Sequence, residues 1–209
     1  MLNLVRKDFI VMKSSAALIL IYFIIFSIVL VSNNMSAFFL AGVYTAFTTL
    51  MMSTGADVKN ENHNFLITMP INRAQIVRAK YLTALIYTVV ASAACYGLYA
   101  LIRTVKPDLS LQAYTLDQLL TAVGITLVFV SIYLPLFYWL SKKGMAVINI
   151  VFMIIMIALT PLSNIPMHLM RERKISFADT TVALIGLGVV LLFIASYFIT
   201  KYLFNRKDL

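Results

Sequence analysis

Acidic side chains are scarce in this chain: 8 Asp and Glu stand against 17 Lys and Arg, and charged residues of both signs make up 12% of the sequence. A soluble domain carries roughly 25% charge, so there is too little polar surface here to face water. A single cysteine, Cys95, excludes a disulfide within the chain and any cysteine-rich metal set. The two histidines, His63 and His168, lie far apart, and no His-Glu-x-x-His occurs, which removes the helical zinc-hydrolase pattern. There is no Gly-x-x-x-x-Gly-Lys-Ser/Thr, so the chain does not cradle ATP on a P-loop. No catalytic, cofactor-binding or metal-ligating residue is expected, and the chain is not read as an enzyme. The long apolar runs hold no acid apart from groups at their ends. An ion-coupled carrier usually shows one deeper in the membrane. The interior polar groups are read as hydroxyls, amides and the one thiol.

What is abundant is hydrocarbon, at 62% hydrophobic residues against the usual 45–50% or so. It is gathered into the runs Ala16–Val31, Met35–Thr54, Tyr81–Ile102, Leu119–Leu140, Ala146–Thr160 and Val182–Leu203. Each approaches the roughly 17–25 residues a helix needs to cross a bilayer. The reading is an all-α polytopic membrane protein, one domain over residues 1–209 with six transmembrane helices. Ala16–Val31 and Ala146–Thr160 are the short ones; five spans plus a partly inserted segment is the competing count. A cleaved signal peptide is not expected, because no small-x-small site ends the first run.

Charge sets the orientation. With both termini in the cytoplasm, twelve of the seventeen basic residues fall inside, among them Arg6, Lys7, Lys13, Lys59, Arg73, Arg78 and Lys80. Five fall outside: Arg103, Lys106, Arg171, Arg173 and Lys174. This is the direction of the positive-inside rule. Anionic lipid accounts for the excess at about 1 kcal/mol per basic residue near the surface, and no nucleic-acid partner is needed.

Three segments lie outside the runs. Residues 1–15 place Leu2, Val5, Phe9 and Met12 at helical spacing beside Arg6, Lys7 and Lys13, the pattern of a helix lying in the interface; a plain charged anchor is the simpler reading. Residues 57–80 are too long for a minimal connection and read as two short helices broken near Met69-Pro70. Thr68 is expected to cap the second, with Pro70 in its first turn. Ile71, Ala74, Val77 and Tyr81 make its apolar stripe, and Asn72, Arg73, Gln75, Arg78 and Lys80 its wet side. The apolar cluster Phe65, Leu66, Ile67, Met69 and Ile71 either folds back on the interface or docks into a soluble partner. Residues 161–180 form an outer segment that can dip back into the membrane, shielded by protein. Asn149 is the candidate intramembrane polar group, with a helix-to-helix hydrogen bond as its plainer role.

The inner segment carries a resemblance. Lys59-Asn60-Glu61, Met69-Pro70-Ile71-Asn72-Arg73, Ile76-Val77 and Ala79-Lys80-Tyr81-Leu82 resemble the ABC-2 type transporter permeases, the small six-span subunits of bacterial ABC exporters; Met69 stands where Leu is common. The N-terminal basic helix resembles that family's interfacial elbow. The resemblance implies a bacterial cell membrane and a partnership with a cytoplasmic ABC ATPase dimer, which would bind ATP and Mg. It also implies a second permease copy or a related permease subunit. By the same likeness 57–80 is a cytoplasmic coupling helix whose Glu61, Phe65, Met69, Pro70 and Arg73 contact the ATPase.

The likeness further points to export of amphipathic or antimicrobial peptides, including phenol-soluble modulins, or of another hydrophobic substrate. Aromatic residues such as Phe23, Phe26, Phe38, Phe39, Tyr44 and Phe47 then form a candidate pathway wall, against lipid contact or helix packing as the alternative. The rival function is a regulatory or structural membrane subunit that docks a cytoplasmic partner and transports nothing.

Overall fold

The structure is a computed structural model that describes residues 2–33, 39–60, 72–105, 116–140, 142–159 and 180–206. Among the described residues it holds seven α-helices and no strand: α1 Leu2–Lys13, α2 Ala16–Asn33, α3 Phe39–Lys59, α4 Arg73–Val105, α5 Leu116–Trp139, α6 Lys142–Leu159 and α7 Thr180–Arg206. Three of them, α4, α5 and the Ala183–Arg206 part of α7, are long and apolar enough to cross a membrane. The bent pair Asn3–Lys13 and Ala16–Ile28 passes the same test taken together, at an angle of 73°, and Val147–Met156 of α6 is a shorter apolar helix.

The break between α1 and α2 falls at Ser14-Ser15. Ser14 Oγ donates to Val11 O at 2.9 Å and Ser15 N to Met12 O at 3.0 Å, closing α1 on a tight turn. Short hydroxyl side chains that bond the backbone locally compete with helix propagation, which places the bend here.

Helix α3 sits at the centre, with fifteen of its twenty-one residues buried. It packs on α4 through small residues. A Cβ built on Gly42 would lie 3.4 Å from Cys95 Cβ and 3.6 Å from Ala91 O, so the two backbones approach closely where side chains are smallest. Toward α5 and α6 the packing is aromatic. Phe47, Tyr133 and Phe152 sit in mutual ring contact at centroid distances of 5.3 to 5.7 Å, with Phe129 5.6 Å from Phe47. By contrast α7 turns most of one face outward, including Leu184, Leu187, Leu191 and Phe198.

Two expectations from sequence are corrected. The segment before the third apolar run is not a separate short helix: from Arg73 the chain is one helix to Val105, since nothing between Arg73 and Tyr96 is Gly or Pro. Its cap is Asn72, whose Oδ1 accepts from Ala74 N at 3.0 Å, in place of the expected Thr68. Thr68 and Pro70 lie outside the described residues. The second correction is that Lys80 is not on a wet side. It lies three and four residues from Val77 and Ile76, on the same buried face, and is 3% exposed.

Pro135 lies inside α5. Having no N–H, it leaves the carbonyl of Ser131, four residues back, without its helical donor. Ser196 of α7 supplies one: its Oγ donates to Ser131 O at 2.7 Å. Tyr81 of α4 reaches the same point, with its Oη 2.6 Å from Ser196 Oγ and 2.8 Å from Thr200 Oγ1. One gap in α5 is thereby closed by α7 and pinned by α4.

Candidate functional site

The inner segment expected to couple the chain to a motor begins where α3 ends and finishes where α4 starts. Glu61, Phe65, Met69 and Pro70 lie outside the described residues, as do the candidate pathway residue Phe38 and the segment 161–179. Both roots of the inner segment are described, and they carry the densest charge chemistry in the described part of the molecule.

Four ionisable side chains from three helices meet there. Lys80 of α4 is surrounded by Asp57 Oδ2 at 2.5 Å, Ser53 Oγ at 2.9 Å and Asp8 Oδ2 at 3.3 Å. An ammonium has three protons to donate, and each finds an acceptor. Lys7 of α1 reaches Asp57 Oδ1 at 2.8 Å and Asp8 Oδ1 at 3.4 Å. Asp8 and Asp57 are 3% and 4% exposed. Each charge faces one of opposite sign, and the cluster of two cations and two anions is neutral as a whole. Helix α1 contributes one charge of each sign, so it is cross-linked to α3 through Lys7 and to α4 through Asp8.

The sequence gives this cluster no role; Asp57 and Lys80 fall just outside the apolar runs Met35–Thr54 and Tyr81–Ile102, among the charged groups expected at their ends. The signal was present in part. Asp8 stands among Val5 and Met12 on the inward stripe of α1, an acid where a helical apolar pattern calls for hydrocarbon. Phe9, assigned to that stripe, is 41% exposed, although its ring meets Tyr87 edge-on at 5.4 Å.

Arg73, the described member of the expected docking set, opens α4 and turns to the far end of α7. Its Nη1 donates to Phe204 O and Asn205 O, both at 3.3 Å, and its guanidinium lies 6.0 Å from the centre of the Phe204 ring. The last carbonyls of a helix lack internal donors and sit at the negative end of its dipole, so a cation there satisfies both.

Deeper in the bundle Asn149 does what a polar residue on an apolar helix commonly does. Tyr133 Oη donates to Asn149 Oδ1 at 2.8 Å and lies 2.5 Å from Thr54 Oγ1, joining α5, α6 and α3. Gly55 faces Asn149, whose Nδ2 is 3.9 Å from the position of an added Cβ. Phe39 and Tyr44 are buried in the core. Tyr44 Oη donates to Met156 O at 3.0 Å, in the last turn of α6. The structure therefore brings Asn149, Phe39 and Tyr44 into helix packing and does not gather them with Arg73. Among the described residues no group of three or more His, Cys, Asp or Glu lies together to hold a metal ion.

Set beside known protein families, residues 3–205 match the one described as ABC-2 family transporter protein. No curated protein and no solved structure matches.

Proposed function

The chain belongs to the ABC-2 family of transporter proteins, and on that premise we propose that it is the permease subunit of an ATP-driven exporter of amphipathic peptides. The family membership makes it a membrane subunit of an ABC transporter and not the ATPase. On this reading α2 to α7 are the six spans, both termini are cytoplasmic, and the host membrane is the bacterial cell membrane. A second copy or a related permease completes the pathway. A cytoplasmic ABC ATPase dimer binds ATP and Mg, and Glu61, Phe65, Met69 and Pro70 seat on it, with Arg73 at the exit of the segment.

The observation that carries the reading is the position of the ionic cluster at both roots of the inner segment. Asp57 lies four residues before Glu61, and Lys80 belongs to the helix that the segment enters. A load applied to residues 61–71 therefore meets α3 and α4 already joined at their ends, with α1 joined to both. Motion of the ATPases passes into the bundle as a joint displacement of α1, α3 and α4. Such a segment transmits force only if it binds two states of the motor differently, which nucleotide-driven closure of the ATPases provides. Peptide cargo is supported by the apolar flanks of α2 and α7, which face outward with Leu18, Ile21, Ile25, Leu187 and Ile194 and can meet an amphipathic helix arriving from the bilayer.

The test is reconstitution with the cognate ATPase. An exported amphipathic peptide is expected to raise ATP hydrolysis several-fold, and Phe65→Ala to abolish the stimulation while leaving basal hydrolysis intact. Photo-crosslinkers placed at residues 61–70 that never capture an ATP-hydrolysing protein would sink the proposal.

A further inference from the structure

Helix α4 is held by two neighbouring side chains close to where the inner segment enters it. Lys80 joins it to α1 and α3 through the ionic cluster, and the next residue, Tyr81, joins it to α7. Tyr81 is buried, and its ring meets Phe193 edge-on at 5.2 Å and Tyr197 at 5.6 Å, which fixes the direction of its hydroxyl. Each hydroxyl here has one proton to give. Ser196 Oγ gives its proton to Ser131 O, and Thr200 Oγ1 gives its own to Ser196 O at 2.9 Å. Tyr81 is therefore the donor toward α7. The bonds run from Tyr81 through Ser196 to the carbonyl of α5 that Pro135 leaves without a helical donor. A hydroxyl that accepts a proton donates its own more strongly, so Ser196 holds Ser131 O best while Tyr81 holds Ser196.

The stretches of α5 on the two sides of Pro135 belong to different neighbours. Before it, Tyr133 is bonded to Thr54 of α3 and Asn149 of α6 and meets the rings of Phe47 and Phe152. After it, Tyr138 meets Phe204 of α7 at 5.0 Å, and Arg73 at the start of α4 holds the Phe204 carbonyl. We propose that α5 flexes at Pro135 and that Tyr81 is the positioning residue that controls the flexure. With Tyr81 on Ser196 the gap is bridged and α5 is stiff. Displacement of α4 against α7 draws Tyr81 from Ser196 and loosens Ser196 from Ser131 O. The inner end of α5 then follows α4 and α7, while the part up to Tyr133 stays with α3 and α6. A proline break is where a long helix bends most readily. That the motor drives this displacement rests on the export reading; the flexure itself does not.

The experiment uses the full chain in lipid nanodiscs, in a Cys95→Ala background. Spin labels are attached through Leu120→Cys and Trp139→Cys, exposed positions of α5 on the two sides of Pro135, and the distance between them is read by pulsed electron paramagnetic resonance. The native hydroxyl chain is expected to give a narrow distance distribution. Tyr81→Phe keeps the ring and removes only the hydroxyl, and is expected to broaden it. Adding Pro135→Ala to Tyr81→Phe is expected to narrow it again, because the helix then supplies its own N–H. Ser196→Ala is expected to show the same broadening and the same rescue. A purely structural role of Tyr81 in α4 packing would not be rescued from another helix. A narrow distribution in Tyr81→Phe, or a broadening that Pro135→Ala leaves in place, overturns the proposal. With the cognate ATPase and a non-hydrolysable ATP analogue, the native distance is expected to shift, and Tyr81→Phe to lose the shift while still retaining the ATPase. A bound ATPase that produces no shift in the native chain overturns the part of the hinge in coupling. A native chain that captures no ATPase overturns the export reading alone, since the nucleotide-free comparison decides the hinge by itself.

Discussion

Lys80 shows how one residue can be misplaced by its type and placed by its register. It is a lysine, and a reading by residue class puts it in water with Arg73 and Arg78. Its spacing from Ile76 and Val77 puts it inside. What the sequence withholds is the partner: Asp8 is seventy-two residues away on another helix. Removing the ammonium leaves two buried carboxylates with Lys7 alone. Lys80→Met is therefore expected to destabilise the detergent-solubilised protein by about 3–5 kcal/mol, as breaking a buried ion pair does. Lys80→Met combined with Asp57→Asn is expected to recover part of that loss, read as a coupling energy in a double-mutant cycle of thermal unfolding. Gly42 gives a second test at this scale. Its Cβ site has ordinary contact distances to Cys95 and the α4 backbone, so Gly42→Ala is expected to be tolerated. Gly42→Leu is expected to force α3 from α4 and cost about 1–3 kcal/mol, in the same measurement.

Helices were legible as elements, and their joints were not. The apolar runs predict α2 through α7 nearly in place, because a run of hydrocarbon needs no partner to be recognised. The continuity of α4 across the expected boundary at Lys80 was missed, because Met69-Pro70 draws attention as a breaker while Asn72 is the residue that caps. The repaired gap in α5 was half legible. Pro135 announces that Ser131 O lacks a donor, but not that Ser196 provides it. This makes a sharp prediction. Ser196→Ala is expected to cost about 1–3 kcal/mol by leaving a buried carbonyl unsatisfied. In a Pro135→Ala background the helix supplies its own N–H, and the same substitution is expected to cost clearly less. Equal penalties in the two backgrounds, measured by thermal unfolding, would show that the carbonyl is not what Ser196 serves.

For the whole molecule, composition and charge bias identify a membrane protein before any element is drawn, and the inner motif points to the family that the match over residues 3–205 establishes. Helices α4, α5 and the Ala183–Arg206 part of α7 pass by length and apolarity alone; α3 is a central helix with Thr, Ser and Asp57 on it, and Ser53, Thr54 and Asp57 are hydrogen-bonded within the bundle. A chain that turns so much of α7 outward depends on lipid to cover it. Ile194→Arg, near the middle of α7 and 46% exposed, is expected to lower insertion of that helix by about 2.5–3.5 kcal/mol in a translocation assay, whereas Ile194→Leu is expected to be neutral.

The grip of Arg73 on the carbonyls of Phe204 and Asn205 has a practical corollary for anyone handling the carboxyl terminus. Trimming the chain to residue 203, or fusing a bulky reporter so that the last turn unwinds, would strip the anchor from the first residue of α4. On the proposed coupling role, a tail edit made for convenience would then register as a fault in communication with the motor, at a site that no mutation had touched.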